Sequence, residues 1–109
     1  MRKISVKVVK IFKGKVMKKF IQEVLLVTQE ECAEVSQSIS KIFRFGLDGE
    51  YQNCTNLVRL SEEVGDLYCM IELMIEKGLI RREDILAAAA KKREKLKVWS
   101  SIFEGSENA

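Results

Sequence analysis

From about Lys15 to Arg44 the apolar residues Met17, Phe20, Ile21, Val24, Leu25, Val35, Ile39, Ile42 and Phe43 recur with a helical period. Sustained over about eight turns, that period predicts one long amphipathic helix. A helix of about thirty residues reaches roughly 45 Å, which is more than a compact monomer of 109 residues can cover. Its apolar stripe therefore calls for a partner subunit. The expected fold class is all-α, with antiparallel helices forming a four-helix-bundle-like unit completed by dimerisation.

The rest of the chain fits that class. Gly46, Asp48 and Gly49 break the first helix and open a polar loop that runs to about Asn53 or Thr55, either of which can cap the next helix. This second helix, about 56 to 77, carries Leu57, Leu60, Val64, Leu67, Ile71, Met74 and Ile75 on one face and stops at Gly78. A third runs from about Arg82 to Phe103, with the small residues Ala87 to Ala90 permitting close helix approach. Proline is absent and glycine scarce, so nothing else in the composition opposes helices. One domain, residues 15–103, is expected between an arm (1–14) and a polar tail (104–109).

The net charge of +3 is concentrated at one end. Residues 1 to 15 hold six Lys or Arg and no acid; without them, 13 basic residues face 16 acidic ones. The body is mildly acidic, so a nucleic-acid surface is not expected there. In the arm, Ile4, Val6 and Val8 alternate like a strand while Ile4, Val8 and Ile11 recur like a helix, and its lysines interrupt any signal-peptide core. No apolar run approaches membrane-spanning length. Cys32, Cys54 and Cys69 are odd in number and lack CxxC spacing, which argues against a disulfide framework or a zinc site and for a reducing, cytoplasmic setting.

Two acidic clusters interrupt the helical faces: Glu30-Glu31-Cys32-Ala33-Glu34 and Glu63-Val64-Gly65-Asp66. At about 100° per residue, Glu31 lands between Val24 and Val35, inside the apolar arc of the first helix. Glu34 sits at the edge of that arc beside Val27, and Glu30 one step further out. On the second helix Glu63 falls between Leu60 and Met70, with Asp66 on the adjoining edge. Glu62, Glu72 and Glu76 project from the other side, as solvated residues do. An apolar face is an expensive place for an unpaired carboxylate.

Residues three apart are neighbours on a helix, so each cluster presents two carboxylates one turn apart. Two such pairs facing each other make an oxygen cage for a hard cation. Mg²⁺ fits best and Mn²⁺ is possible; the absence of histidine rules out imidazole ligands and an imidazole base. Lys41 lies seven positions after Glu34, on the same face two turns along, where it can meet a phosphate. There is no GxxxxGK[ST] loop, so a P-loop mechanism is excluded.

Glu30-Glu31-x-x-Glu34 followed on the next helix by Glu63-x-x-Asp66 resembles the all-α nucleoside triphosphate pyrophosphohydrolases, specifically their MazG-like branch. The resemblance covers roughly residues 20 to 98 and extends to Lys41 and Arg44 in SKIFRFG, to EEVGDL, and to KKREKLKVW. It implies hydrolysis of a ribo- or deoxyribonucleoside triphosphate to the monophosphate and pyrophosphate by a metal-activated water, in a homo-oligomer, dimer or tetramer. By position, Glu31, Glu34, Glu63 and Asp66 are expected to hold the metal, and Glu30 to assist a ligand or orient the water. Lys92 and Lys95 resemble the family's phosphate-binding positions, although Leu96 stands where the family often carries Asn.

Candidates for contact with the base are Asn56 and Trp99, with Phe20 and Tyr68 behind them. For the aromatic residues core packing is the competing expectation, and for Asn56 a helix cap. Two other functions compete: a dUTP- or dCTP-restricted pyrophosphatase of the same superfamily, and a non-enzymatic interaction protein that uses the basic arm.

Overall fold

The computed structural model describes residues 17–104. The expected basic arm, residues 15 and 16 of the expected first helix, and residues 105–109 of the expected tail lie outside the described residues. The regular elements are α1 (Lys19–Phe45), β1 (Glu50–Tyr51), β2 (Cys54–Thr55), α2 (Asn56–Glu76) and α3 (Arg82–Trp99). The chain is thus mostly helical, and divides between Met74 and Ile75 into two compact units.

In the first unit, α1 starts at Lys19, later than the periodicity predicts. Met17 and Lys18 precede it, Lys18 has extended backbone angles, and the Gln22 side chain turns back to donate to the Met17 carbonyl at 2.8 Å. The helix ends where expected, at Gly46, whose φ of 87° is open to glycine and strained for other residues. Its N–H donates to the Ile42 carbonyl at 2.7 Å, satisfying one of the last-turn acceptors.

The polar loop contains a hairpin that periodicity did not predict. Glu50 pairs with Thr55 and Tyr51 with Cys54, antiparallel. Gln52 and Asn53 turn the chain with φ of 55° and 63°, the doubly left-handed geometry that suits a two-residue hairpin loop. Asn tolerates that region, Gln less so, and the usual Asn-Gly signal is missing. Thr55, not Asn53, caps α2: its Oγ1 accepts from the Val58 N–H at 3.2 Å.

Three hydrogen bonds lock the start of α2 to the end of α1. Asn56 Nδ2 donates to the Gly46 carbonyl at 3.0 Å, the Asn56 N–H to Gly49 at 2.9 Å, and the Leu57 N–H to Leu47 at 3.2 Å. Asn56 is therefore a buried tie between helices and not the cap of its own. Gly49 is needed for this approach, since a Cβ there would sit 2.5 Å from the Phe45 carbonyl oxygen and 2.9 Å from Asn56 Nδ2. With that end pinned, and acids from the middle of both helices meeting further along, α1 and α2 run antiparallel.

The apolar core that this unit closes by itself is small. Val27 and Met70 are the buried apolar residues among those described, while Leu25, Ile39, Val64 and Tyr68 on the same two helices are exposed. The buried set includes Gln22, Glu31, Ser38 and Asn56, so polar groups make up much of it.

In the second unit α2 ends and Gly78 turns the chain with φ 75°, its N–H donating to Ile75 at 3.0 Å. Glu83 and Asp84 occupy the first turn of α3 and Lys97 its last, a charge order that favours the helix dipole. The helix stops at Trp99, four residues short of the expectation. The Ser100 hydroxyl competes with the next helical turn, donating to the Leu96 carbonyl at 2.7 Å while accepting from Ile102 at 3.3 Å. Arg93 covers the Phe103 ring at 4.8 Å, holding the turn against α3. No residue of α3 is buried.

Candidate metal centre

The meeting point of α1 and α2 gathers the acids. One carboxylate oxygen from each of Glu31, Glu63 and Asp66 lies within 4.8 Å of the others. The helical wheel is reproduced in their burial: Glu31 is 5% exposed, Glu63 half-buried and Asp66 exposed at the rim. Glu34 stands outside this triad but lines a small polar cleft with Glu63, one turn further along α1. Glu30 is half-buried.

Burial pushes the Glu31 carboxyl above its usual range, and the carboxylates of Asp66, Glu63, Glu30 and Glu34 push it further. Glu63 is raised in the same sense, by burial first and then by Glu34, Asp66 and Glu62, with Lys41 acting in the opposite direction. No Lys or Arg forms an ion pair with Glu31, Glu34, Glu63 or Asp66 among the described residues. The arrangement concentrates negative charge in a partly dry place, with Lys41 offsetting part of it at Glu63 and no ion pair among the described residues.

Such a donor set suits a hard divalent cation. The ligands are all carboxylate oxygens, mutual repulsion costs least when a cation lies between them, and Asp66 at the rim leaves access from solvent. The residues present therefore form a group that could hold a divalent cation, with Glu31, Glu63 and Asp66 as its geometric core.

Beyond the acids, toward the hairpin, the same groove becomes basic. The polar cleft is lined by Glu34, Gln37, Ser38, Lys41, Asn56, Arg59 and Glu63. It shares Lys41, Asn56 and Arg59 with a cavity of about 470 Å³ whose wall adds Phe45, Gly49, Glu50 and Tyr51. Comparison of the chain with protein-family models, with curated proteins and with solved structures finds no match in any of the three.

The expected site residues divide between the two units. Glu31, Glu34, Glu63, Asp66, Lys41 and Asn56 come together in the first. Lys92, Lys95 and Trp99 belong to α3 in the second, where all three are exposed, Trp99 by 81%. Tyr68 is exposed on α2, and neither it nor Phe20 lines the cleft or the cavity. Core packing, the expectation for these aromatic residues, is not met by Phe20, Tyr68 or Trp99 within the single chain.

Arg59 was missed. Its signal lay in spacing: it is four residues before Glu63, on the same face of α2, as Asn56 is seven before it. Phe45 and Tyr51 were missed because their place depends on the hairpin.

Proposed function

We propose that this chain is a Mg²⁺-dependent nucleoside triphosphate pyrophosphohydrolase that works as a homo-oligomer. The observation that carries the reading is a carboxylate triad, buried at Glu31 and open at Asp66, that makes no ion pair among the described residues and borders, through Glu63, a cleft that leads to a cavity lined by Lys41 and Arg59. A metal with a polyphosphate is complementary to both ends at once. The acids attract the ion, and the basic residues attract the charge that the ion leaves unneutralised.

Glu31, Glu34, Glu63 and Asp66 are assigned to the metal, which when bound would polarise phosphate oxygens and acidify a water. Glu30 supports a ligand or orients the attacking water. Lys41 meets phosphate, and it already acts on Glu63 electrostatically while making no ion pair among the described residues. The resemblance to the MazG-like family adds Lys92 and Lys95 as further phosphate ligands, and Trp99 and Asn56 as contacts to the base. Asn56 lines the cavity as well as tying the helices.

The exposed apolar side chains of α1 and α2 support an oligomer, because a second copy would cover what one chain leaves in water. In this reading helices from two chains complete four-helix bundles, the expectation drawn from the long apolar stripe of the first helix. Free thiols at Cys32, Cys54 and Cys69 accord with a cytoplasmic setting. No described helix is long and apolar enough to cross a membrane.

The test is the product released from a panel of ribo- and deoxyribonucleoside triphosphates with and without Mg²⁺. Pyrophosphate is expected, and only with metal. Orthophosphate as the first product, or no metal-dependent release from any nucleotide, would refute the proposal. Turnover confined to dUTP or dCTP would narrow it to the restricted pyrophosphatases.

A further inference from the structure

We infer that Arg59, together with Lys41, forms a phosphate-binding site in the cavity beneath the hairpin, and that this site takes a pyrophosphate-type dianion or polyanion. Several observations on separate residues converge there. Lys41 from α1 and Arg59 from α2 line both the cavity and the polar cleft that contains Glu34 and Glu63. Neither cation forms an ion pair with an acid among the described residues, although acids line the same groove. Two unpaired cations converging from different helices hold their charge in reserve.

Arg59 is also preset. Its Nη2 donates to the Tyr51 carbonyl at 2.6 Å and its guanidinium lies over the Tyr51 ring at 5.6 Å, so the hairpin fixes the plane of the fork. Its Nε–H is shielded from solvent and has no hydrogen-bond partner. A buried donor in that state is costly, and an oxygen acceptor delivered by a ligand relieves it. A guanidinium with one donor anchored and others free is built for bidentate contact to phosphate. Glu50, exposed on β1, is the one acid among the described residues of the cavity wall, where Lys41 and Arg59 outnumber it.

The direction follows from the helices. Lys41 is seven residues beyond Glu34 on α1, about 10 Å along its axis, and Arg59 is four residues before Glu63 on α2, about 6 Å along its own. Since the helices are antiparallel, both displacements point toward the hairpin. In the reading proposed above, which this assignment of direction rests on, the phosphates next to the acids are those attacked and the ones under the hairpin leave as pyrophosphate. Anion binding itself does not depend on that reading. Phe45 and Tyr51 close the site as walls.

Titration calorimetry with inorganic pyrophosphate, on the full chain at fixed ionic strength without metal, tests the site apart from catalysis. The unmodified chain is expected to bind, and Arg59→Ala to weaken binding at least tenfold with helicity by circular dichroism unchanged. Arg59→Lys should recover only part of the loss, because an ammonium cannot present the fork. Lys41→Ala should weaken binding to a similar extent, and it decides the matter if Arg59→Ala unfolds. Equal affinity in the unmodified chain and the folded variants, or no binding at all, overturns the inference. Arg59-dependent pyrophosphate binding without any nucleotide hydrolysis would keep the anion site and remove the pyrophosphohydrolase; hydrolysis with kcat/KM untouched by Arg59→Ala would do the reverse.

Discussion

Glu31 illustrates what single residues contribute. Its carboxylate is buried beside other acids, so in the metal-free protein it costs stability that a neutral side chain of the same shape does not. Glu31→Gln should therefore raise the metal-free Tm at neutral pH by a few degrees, the size that about 1 kcal/mol produces in a small domain. The same change should abolish the further rise that Mg²⁺ gives the unmodified chain. A thermal shift assay with and without metal reads both effects. The sign with pH follows from the raised pKa of Glu31 and Glu63: the folded state holds their protons more tightly than the unfolded chain does. Metal-free stability is thus helped on the acid side and lost as pH rises through the folded pKa values. Metal competes with those protons, so Mg²⁺ affinity should fall on acidification at a pH above the usual carboxylate range of about 4.3. Calorimetric titration of Mg²⁺ between neutral and mildly acid pH measures it, and an affinity that stays constant down to that range would contradict the burial argument. Glu31 was legible in the sequence because a charge amid Val24 and Val35 breaks the pattern of its own helix. Arg59 was not, because an arginine on a polar stripe looks like any solvated residue until the register of α2 against α1 is known.

Among the elements, the loop that follows α1 pins the start of α2 and so sets that register. The Asn56 side chain, the Asn56 N–H and the Leu57 N–H bind the loop from Gly46 to Gly49, and Gly49 leaves no room for a Cβ. Gly49→Ala must push Asn56 or the Phe45 carbonyl aside, at about 1–3 kcal/mol for an overpacked contact. Denaturant melting should find that loss, and the Mg²⁺-dependent Tm rise should shrink with it, because the acids on α2 would shift against those on α1. Gly46→Ala, strained at positive φ but with open space around it, should cost less. Helix ends were readable from sequence at Gly46 and Gly78, where the residue itself enforces the break. The hairpin was not readable, since its two-residue strands carry no period and Gln52-Asn53 is a poor match to the usual turn signal. The early end of α3 was equally hidden, being set by where the Ser100 hydroxyl finds an acceptor.

For the whole molecule the length of α1 and its uncovered face make one expectation. Leu25, Ile39 and Phe43 on that helix remain in water, Phe43 by 86%, while the apolar residues buried among those described are Val27 and Met70. Sedimentation equilibrium should return at least twice the chain mass of 12.5 kDa, and Ile39→Glu should lower the assembly toward one chain. A monodisperse monomer with full thermal stability would contradict the oligomer. The mostly helical character was written in the composition and the 3.6 period, but neither says which faces two chains bury against each other. The central claim is that the acids of α1 and α2 act together through a metal. It is tested most directly by following pyrophosphate release from nucleoside triphosphates as Mg²⁺ is titrated, comparing the unmodified chain with folded Glu63→Gln. The account predicts release that saturates with Mg²⁺ in the first and a loss of at least about a hundredfold in the second; equal, metal-independent release from both would contradict it.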